Sequence, residues 1–258
     1  MLLEGKNAVI YGGGGSVGGA VARTFALEGA NVFLAGRTRE PLDRVASDIE
    51  KAGGRVEVAE LDALDEQAVE EHMGELVDNA GSIDVSFNAI SIQDVQLIPL
   101  VEMSREDFMR PISTGMTTHF LTARAAARHM AAQRSGVILT FSASAARAYF
   151  PGVHVGGFGI ACTAIEALTK QLAAELGQSG IRVNCLRSEG IPESWEGAST
   201  EEWSGSTDEI EEFLKQRSLL GRVTTLADVG NAAAFLASDR AGATTGTVFN
   251  LTSGTVVD

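Results

Sequence analysis

Residues 11–19 read YGGGGSVGG, and this stretch decides the fold. It follows an apolar run, NAVIYG (7–12), and leads into GGAVARTFALEGA (18–30), where apolar residues recur at helical spacing. Gly13, Gly15 and Gly18 fit G-x-G-x-x-G, and Gly12, Ser16 and Gly18 fit a G-x-x-x-S-x-G variant. Glycines permit the tight turn and let the backbone approach a pyrophosphate, which the N-terminus of the following helix attracts. Alone, such a match is weak. Between the first strand and the first helix of an alternating chain it predicts a dinucleotide site built from Gly12, Gly15, Ser16, Val17 and Gly18.

The chain does alternate. Apolar runs at 31–37, 55–62, 83–91, 136–144, 181–187 and 247–252 read as strands. Amphipathic stretches at 40–53, 65–81, 105–133, 158–177 and 226–239 read as helices. Strands separated by helices of this length imply right-handed crossovers and a parallel sheet covered on both faces. The expected fold is α/β, one doubly wound Rossmann-type domain spanning 1–258, with no linker dividing it. One segment breaks the pattern: PESWEGASTEEWSGSTDEIEEF (192–213) is polar, acidic and holds both tryptophans, Trp195 and Trp203. It is read as part of a substrate lid over 192–220, lying above the carboxyl ends of the strands where such folds bind ligands. Its paired acids, at 201–202, 208–209 and 211–212, are read as a solvated face.

Bulk properties narrow the function. The 258 residues are 45% hydrophobic, enough for a substantial core. The net charge of −14 disfavours nucleic acid as a partner, because affinity for phosphate backbones comes from Lys and Arg. No run reaches the roughly 18 apolar residues that a membrane span needs. The opening MLLEGKNAVI does not read as a signal peptide. Two cysteines, Cys162 and Cys185, are expected to be reduced thiols in a cytoplasmic protein. The histidines have no metal-ligand spacing, so no metal is expected.

The end of the second strand bears on the cofactor. An acidic residue there accepts hydrogen bonds from the ribose 2′-OH of NAD. This chain has Gly36 and then Arg37, which leave room for a 2′-phosphate and supply a partner for it. NADP(H) is therefore expected over NAD(H).

Further segments carry a resemblance. Leu61-Asp62, FNAI (87–90), GIRVN (180–184) and FLASDRAGATTGTVFNLTSG (235–254) occur in order after the glycine turn. With them the chain resembles the short-chain dehydrogenase/reductase family from end to end. The resemblance implies a seven-stranded parallel sheet, a nicotinamide cofactor and a homotetramer or homodimer. It implies that Asp62 holds the adenine edge, and that Asn88, Ala89 and Ile191 also contact the cofactor.

The family's catalytic side chains are not matched. Gapless alignment of LTKQLAAELGQSGIRVN (168–184) places Phe158 on the family's Tyr and Cys162 on its Lys. Ala143 stands on the catalytic Ser, and Gly115 falls at or near the helical Asn. Ser188-Glu189 replaces the Pro-Gly beside the nicotinamide, and Glu193 falls near a phosphate-binding Thr. A phenyl ring has no proton to give, and a neutral thiol has no charge to activate one. General acid–base help is worth roughly 10²–10⁴ in rate, so these replacements argue against ordinary ketone reduction by the family's route. Candidate substitutes are His154 and Tyr149 in the loop before the helix, and Ser144 if the strand end shifts by one residue. The expected activity is that of an atypical NADP(H)-dependent oxidoreductase on a small organic carbonyl or activated alkene. The alternatives are a catalytically degenerate nucleotide-binding or partner protein, and non-redox chemistry in the same cleft.

Overall fold

In the computed structural model, which describes residues 1–149, 152–195 and 207–257, seven strands form one parallel sheet. They are β1 (Asn7–Tyr11), β2 (Asn31–Gly36), β3 (Arg55–Glu60), β4 (Val85–Asn88), β5 (Gly136–Ala143), β6 (Ile181–Ser188) and β7 (Val248–Leu251). The order across the sheet is β3-β2-β1-β4-β5-β6-β7, so its direction of growth reverses between β1 and β4. The Rossmann-type α/β class follows from this order, as the sequence implied.

Successive residues of β1 enter opposite layers, as the pleat requires. Ala8 and Ile10 pack with α1 (Ser16–Leu27), α2 (Arg39–Lys51) and α7 (Leu226–Ala237). Val9 and Tyr11 pack with α3 (Glu66–Ala80), α4 (Arg105–Gln133) and α5 (Gly156–Leu176). Burial on both faces is the reason the strands read as apolar runs rather than as alternating ones.

Two glycine pairs set the helices close to their neighbours. Gly12 has φ +77°, and a Cβ there would lie 2.7 Å from the Ala89 carbonyl oxygen. A Cβ at Gly18 would overlap the Gly12 carbonyl oxygen. At the start of α5, Gly156 has φ +53°, and a Cβ at Gly157 would run into the Phe108 carbonyl of α4. The two long helices therefore touch backbone to backbone near the cleft.

Most expected elements lie within a few residues of the observed ones. The region expected as a lid holds regular structure at its edges. A 3-10 turn covers Pro192–Trp195 and a helix, α6, covers Thr207–Arg217, with Ile210 and Leu214 buried. Residues 196–206, including Trp203 and the acids at 201–202, fall outside the described residues. Among the described residues no helix is long and apolar enough to cross a membrane.

Candidate active-site cleft

A cleft of about 520 Å³ opens at the carboxyl ends of the strands where the sheet order reverses. Gly12, Gly15, Ser16 and Val17 line one end of it, while Gly18 is buried beneath them in the turn. The N-cap of α1, Gly15, makes no side-chain cap bond, and the first turn carries no acidic residue. An uncapped helix N-terminus facing a cavity presents N–H groups and positive dipole to an anion. Arg37, exposed at the end of β2, lines the same cleft. With the Gln93 amide turned so that its oxygen faces Arg37, the guanidinium donates to it at 3.2–3.3 Å. Asp62 also lines the cleft and accepts from the Leu64 N–H at 3.0 Å, which fixes the turn after β3. Asn88 accepts from the Ile90 N–H at 3.0 Å and donates to Thr122 Oγ1 at 3.0 Å, which holds Ala89 at the cleft wall. Ile191 is buried in the core rather than lining the cleft; Ser194, from the 3-10 turn, lines it instead. A glycine cradle that a Cβ would fill, an uncapped helix and a basic residue at the ribose end together fit a phosphorylated dinucleotide.

The other end holds the positions of the family's catalytic set. Ala143, Phe158 and Cys162, which the sequence aligned with the family's Ser, Tyr and Lys, all line it. Burial pushes the Cys162 thiol up to about 12, helped by the fields of Cys185, Asp94 and Glu166 and opposed by a hydrogen bond with the Ala143 backbone. It is a neutral thiol at physiological pH.

Beneath it lies a buried polar cluster that the sequence did not reveal. The Arg187 guanidinium on β6 donates to both Glu166 oxygens, at 2.7 and 2.9 Å. Ser142 Oγ donates to Glu166 Oε1 at 3.0 Å, and Cys185 Sγ donates to Ser142 Oγ at 3.4 Å. Ser142 lines the cleft, one residue before Ala143.

The sequence candidates for proton transfer are placed differently. The His154 side chain is exposed, does not line the cleft, and its backbone carbonyl accepts from Leu97 N–H at 2.7 Å. Tyr149 is 75% exposed, and its hydroxyl donates to the Ala146 carbonyl at 3.2 Å. Ser144 is buried and donates to Glu189 Oε1 at 2.7 Å, so its proton is committed to that carboxylate. The histidine that does line the cleft is His119 on α4. Its Nδ1 lies 2.9 Å from the Gly115 carbonyl, and its Nε2 has no hydrogen-bond partner. The signal for it was the i, i+4 spacing from Gly115, the replaced Asn position. Among the described residues no group of His, Cys, Asp and Glu could hold a metal ion.

The chain resembles known proteins over nearly its whole length. A family model described as Enoyl-(Acyl carrier protein) reductase matches residues 13–255. Secoisolariciresinol dehydrogenase of Forsythia intermedia is 32% identical over 252 residues, covering 93% of this chain and 84% of that protein. The 3-oxoacyl-(acyl-carrier-protein) reductase FabG of Chlamydia muridarum is 30% identical, covering 98% of each. Among solved structures, NAD+-bound xylitol dehydrogenase superimposes with a TM-score of 0.87 at 24% identity, covering 97% of this chain and 99% of that one.

Proposed function

The chain belongs to the short-chain dehydrogenase/reductase family of oxidoreductases, and from that premise we propose that it is an NADP(H)-dependent reductase or dehydrogenase working without the family's Ser-Tyr-Lys set. The observation that carries the cofactor choice is Arg37. It follows Gly36 at the end of β2 and faces the same cleft as the uncapped N-terminus of α1. Gly12, Gly15, Ser16 and Val17 receive the pyrophosphate, Arg37 the 2′-phosphate, and Asp62, Asn88 and Ala89 the adenosine and ribose. When bound, the nicotinamide supplies or takes up hydride.

Substrates are a small organic carbonyl or an activated alkene. Of the two, the alkene asks less of a proton donor, because hydride addition to it leaves an enolate that needs no proton at the moment of transfer. No proton donor is assigned to His154, Tyr149 or Ser144, whose side chains are turned to solvent, to Ala146 and to Glu189. Exposed Met109 and Phe120 on α4, Ile160 on α5 and Phe235 on α7 support assembly into a homodimer or homotetramer.

The test is calorimetric titration with NADPH and NADH, followed by NADPH consumption against ketones and enones. Tighter binding of NADPH and turnover of at least one enone are expected. A second reading, ligand binding without chemistry, is favoured by Ala143, Phe158 and Cys162, none of which offers an acidic proton. NADPH binding with no turnover of any substrate supports that second reading. Absence of NADPH binding removes the first.

A further inference from the structure

The end of the cleft beside α5 has lost donors and kept acceptors. The side chains of Ala143 and Phe158 have no hydrogen to donate, and the Cys162 thiol is held neutral. Ser142 commits its proton to the Glu166 carboxylate, so toward a neighbour its oxygen is an acceptor. Thr118 Oγ1 donates to the Gly115 carbonyl at 3.4 Å. Thr114 can donate or accept and does not set the polarity.

His119 decides the matter. Its Nδ1 faces a carbonyl oxygen, which only accepts, so Nδ1 carries the proton. Nε2 is then a lone pair, buried and unpartnered on a ring that is 2% exposed and lines the cleft. Burial drives the ring down to about 4 despite its bond to Gly115, so it stays neutral. Leaving such an acceptor unmatched costs free energy that a ligand donor recovers.

A carboxylate shares the cleft. Asp94 lies between Gln93, which sits beside Arg37, and Val95, whose carbonyl packs against Gly156 at the start of α5. Its field reaches Cys162. The Arg187 guanidinium beneath this end is matched by Glu166. A carbonyl reduced here would develop negative charge against acceptors and a carboxylate, the reverse of an oxyanion hole.

We propose that this end of the cleft receives a cationic carbon–nitrogen double bond, a protonated imine on a small flat ring, its N–H given to His119 Nε2, its charge balanced by Asp94 and its face against Phe158. This rests on the NADP(H) reading and goes beyond it, putting a cationic imine in place of the carbonyl or alkene. Such a substrate arrives with its proton, so no acid is needed. Hydride from the reduced nicotinamide adds to the iminium carbon, the C=N π pair becomes the nitrogen lone pair, and a neutral amine and oxidised nicotinamide result.

The cofactor-free chain is titrated calorimetrically with 3,4-dihydroisoquinolinium and with 1-tetralone, its neutral counterpart. The cation is expected to bind about tenfold tighter, with Asp94→Asn and His119→Phe each eroding that preference. Equal affinities, a preference for tetralone, or an Asp94→Asn chain with the full preference overturns the proposal. A parallel titration with NADPH separates the two readings. A chain that prefers the cation but does not bind NADPH keeps the cationic site and loses the oxidoreductase. A chain that binds NADPH and reduces tetralone but not the iminium keeps the oxidoreductase and loses the cationic site.

Discussion

Glu166 and Arg187 are both buried, and Glu166 also accepts from Ser142. Removing one partner of a buried pair leaves a charge without compensation and costs about 3–5 kcal/mol, whereas an apolar pair of similar volume can be neutral. Glu166→Leu should therefore lower the urea midpoint sharply, and Glu166→Leu with Arg187→Met should recover part of the loss. His119 makes a pH-dependent contribution of the opposite kind. Above pH 6.5 its ring is neutral in the folded and the unfolded chain, so it adds no slope. As pH falls from 6.5 toward about 4, the unfolded chain takes up a proton that the folded chain refuses. Stability is lost across that window, by up to roughly 3 kcal/mol. Urea unfolding at pH 7 and pH 5 should show a smaller acid loss in His119→Phe than in the native chain. His72, also lowered by burial, adds a loss of the same sign in both proteins. Arg37 is the third residue with a specific consequence. Arg37→Ala should weaken NADPH binding by roughly tenfold, the worth of a charge-assisted hydrogen bond, and leave NADH binding nearly unchanged in calorimetry.

The elements that form the cleft depend on glycines for different reasons. At the first turn, Gly18 lets α1 approach the carbonyl of Gly12. Gly18→Ala should destabilise the chain by more than about 1 kcal/mol and abolish NADPH binding, because the clash is with backbone and cannot relax by a rotamer change. At α5, Gly157 admits the Phe108 carbonyl and Gly156 takes a left-handed backbone, which accounts for the two glycines that open the helix. The range expected for α4, 105–133, is the observed one. Ser104 caps it by accepting from the Asp107 N–H, and Arg134 ends it in a left-handed conformation. Helix α6 was not legible. Its residues TDEIEEFLKQR are mostly charged, and only Ile210 and Leu214, one turn apart, are buried. So thin an apolar stripe gives little periodic signal.

At the scale of the molecule, apolar side chains left exposed on α4, α5 and α7 predict self-association. Light scattering should give a mass that is two or four times 27.0 kDa; a monomer at micromolar concentration would contradict it. The order of elements, the parallel sheet and the glycine turn at one end of the cleft were determined by the sequence alone. They rest on local periodicity and on a glycine turn whose residues are contiguous, and contiguous residues need no tertiary contact to be recognised. Phe158 and Cys162, which the resemblance sets on the family's Tyr and Lys, were legible as a pair because they sit one turn apart on a single helix. The character of the reactive end was decided only by the tertiary structure. His154 precedes Phe158 by four residues but lies outside the cleft, while His119 on another helix lines it. Glu166, Arg187 and Ser142 come from α5, β6 and β5 and meet because those elements are neighbours in the sheet layer. Which polar atoms keep a partner and which are left as bare acceptors depends on packing between elements distant in sequence, and no local pattern records it.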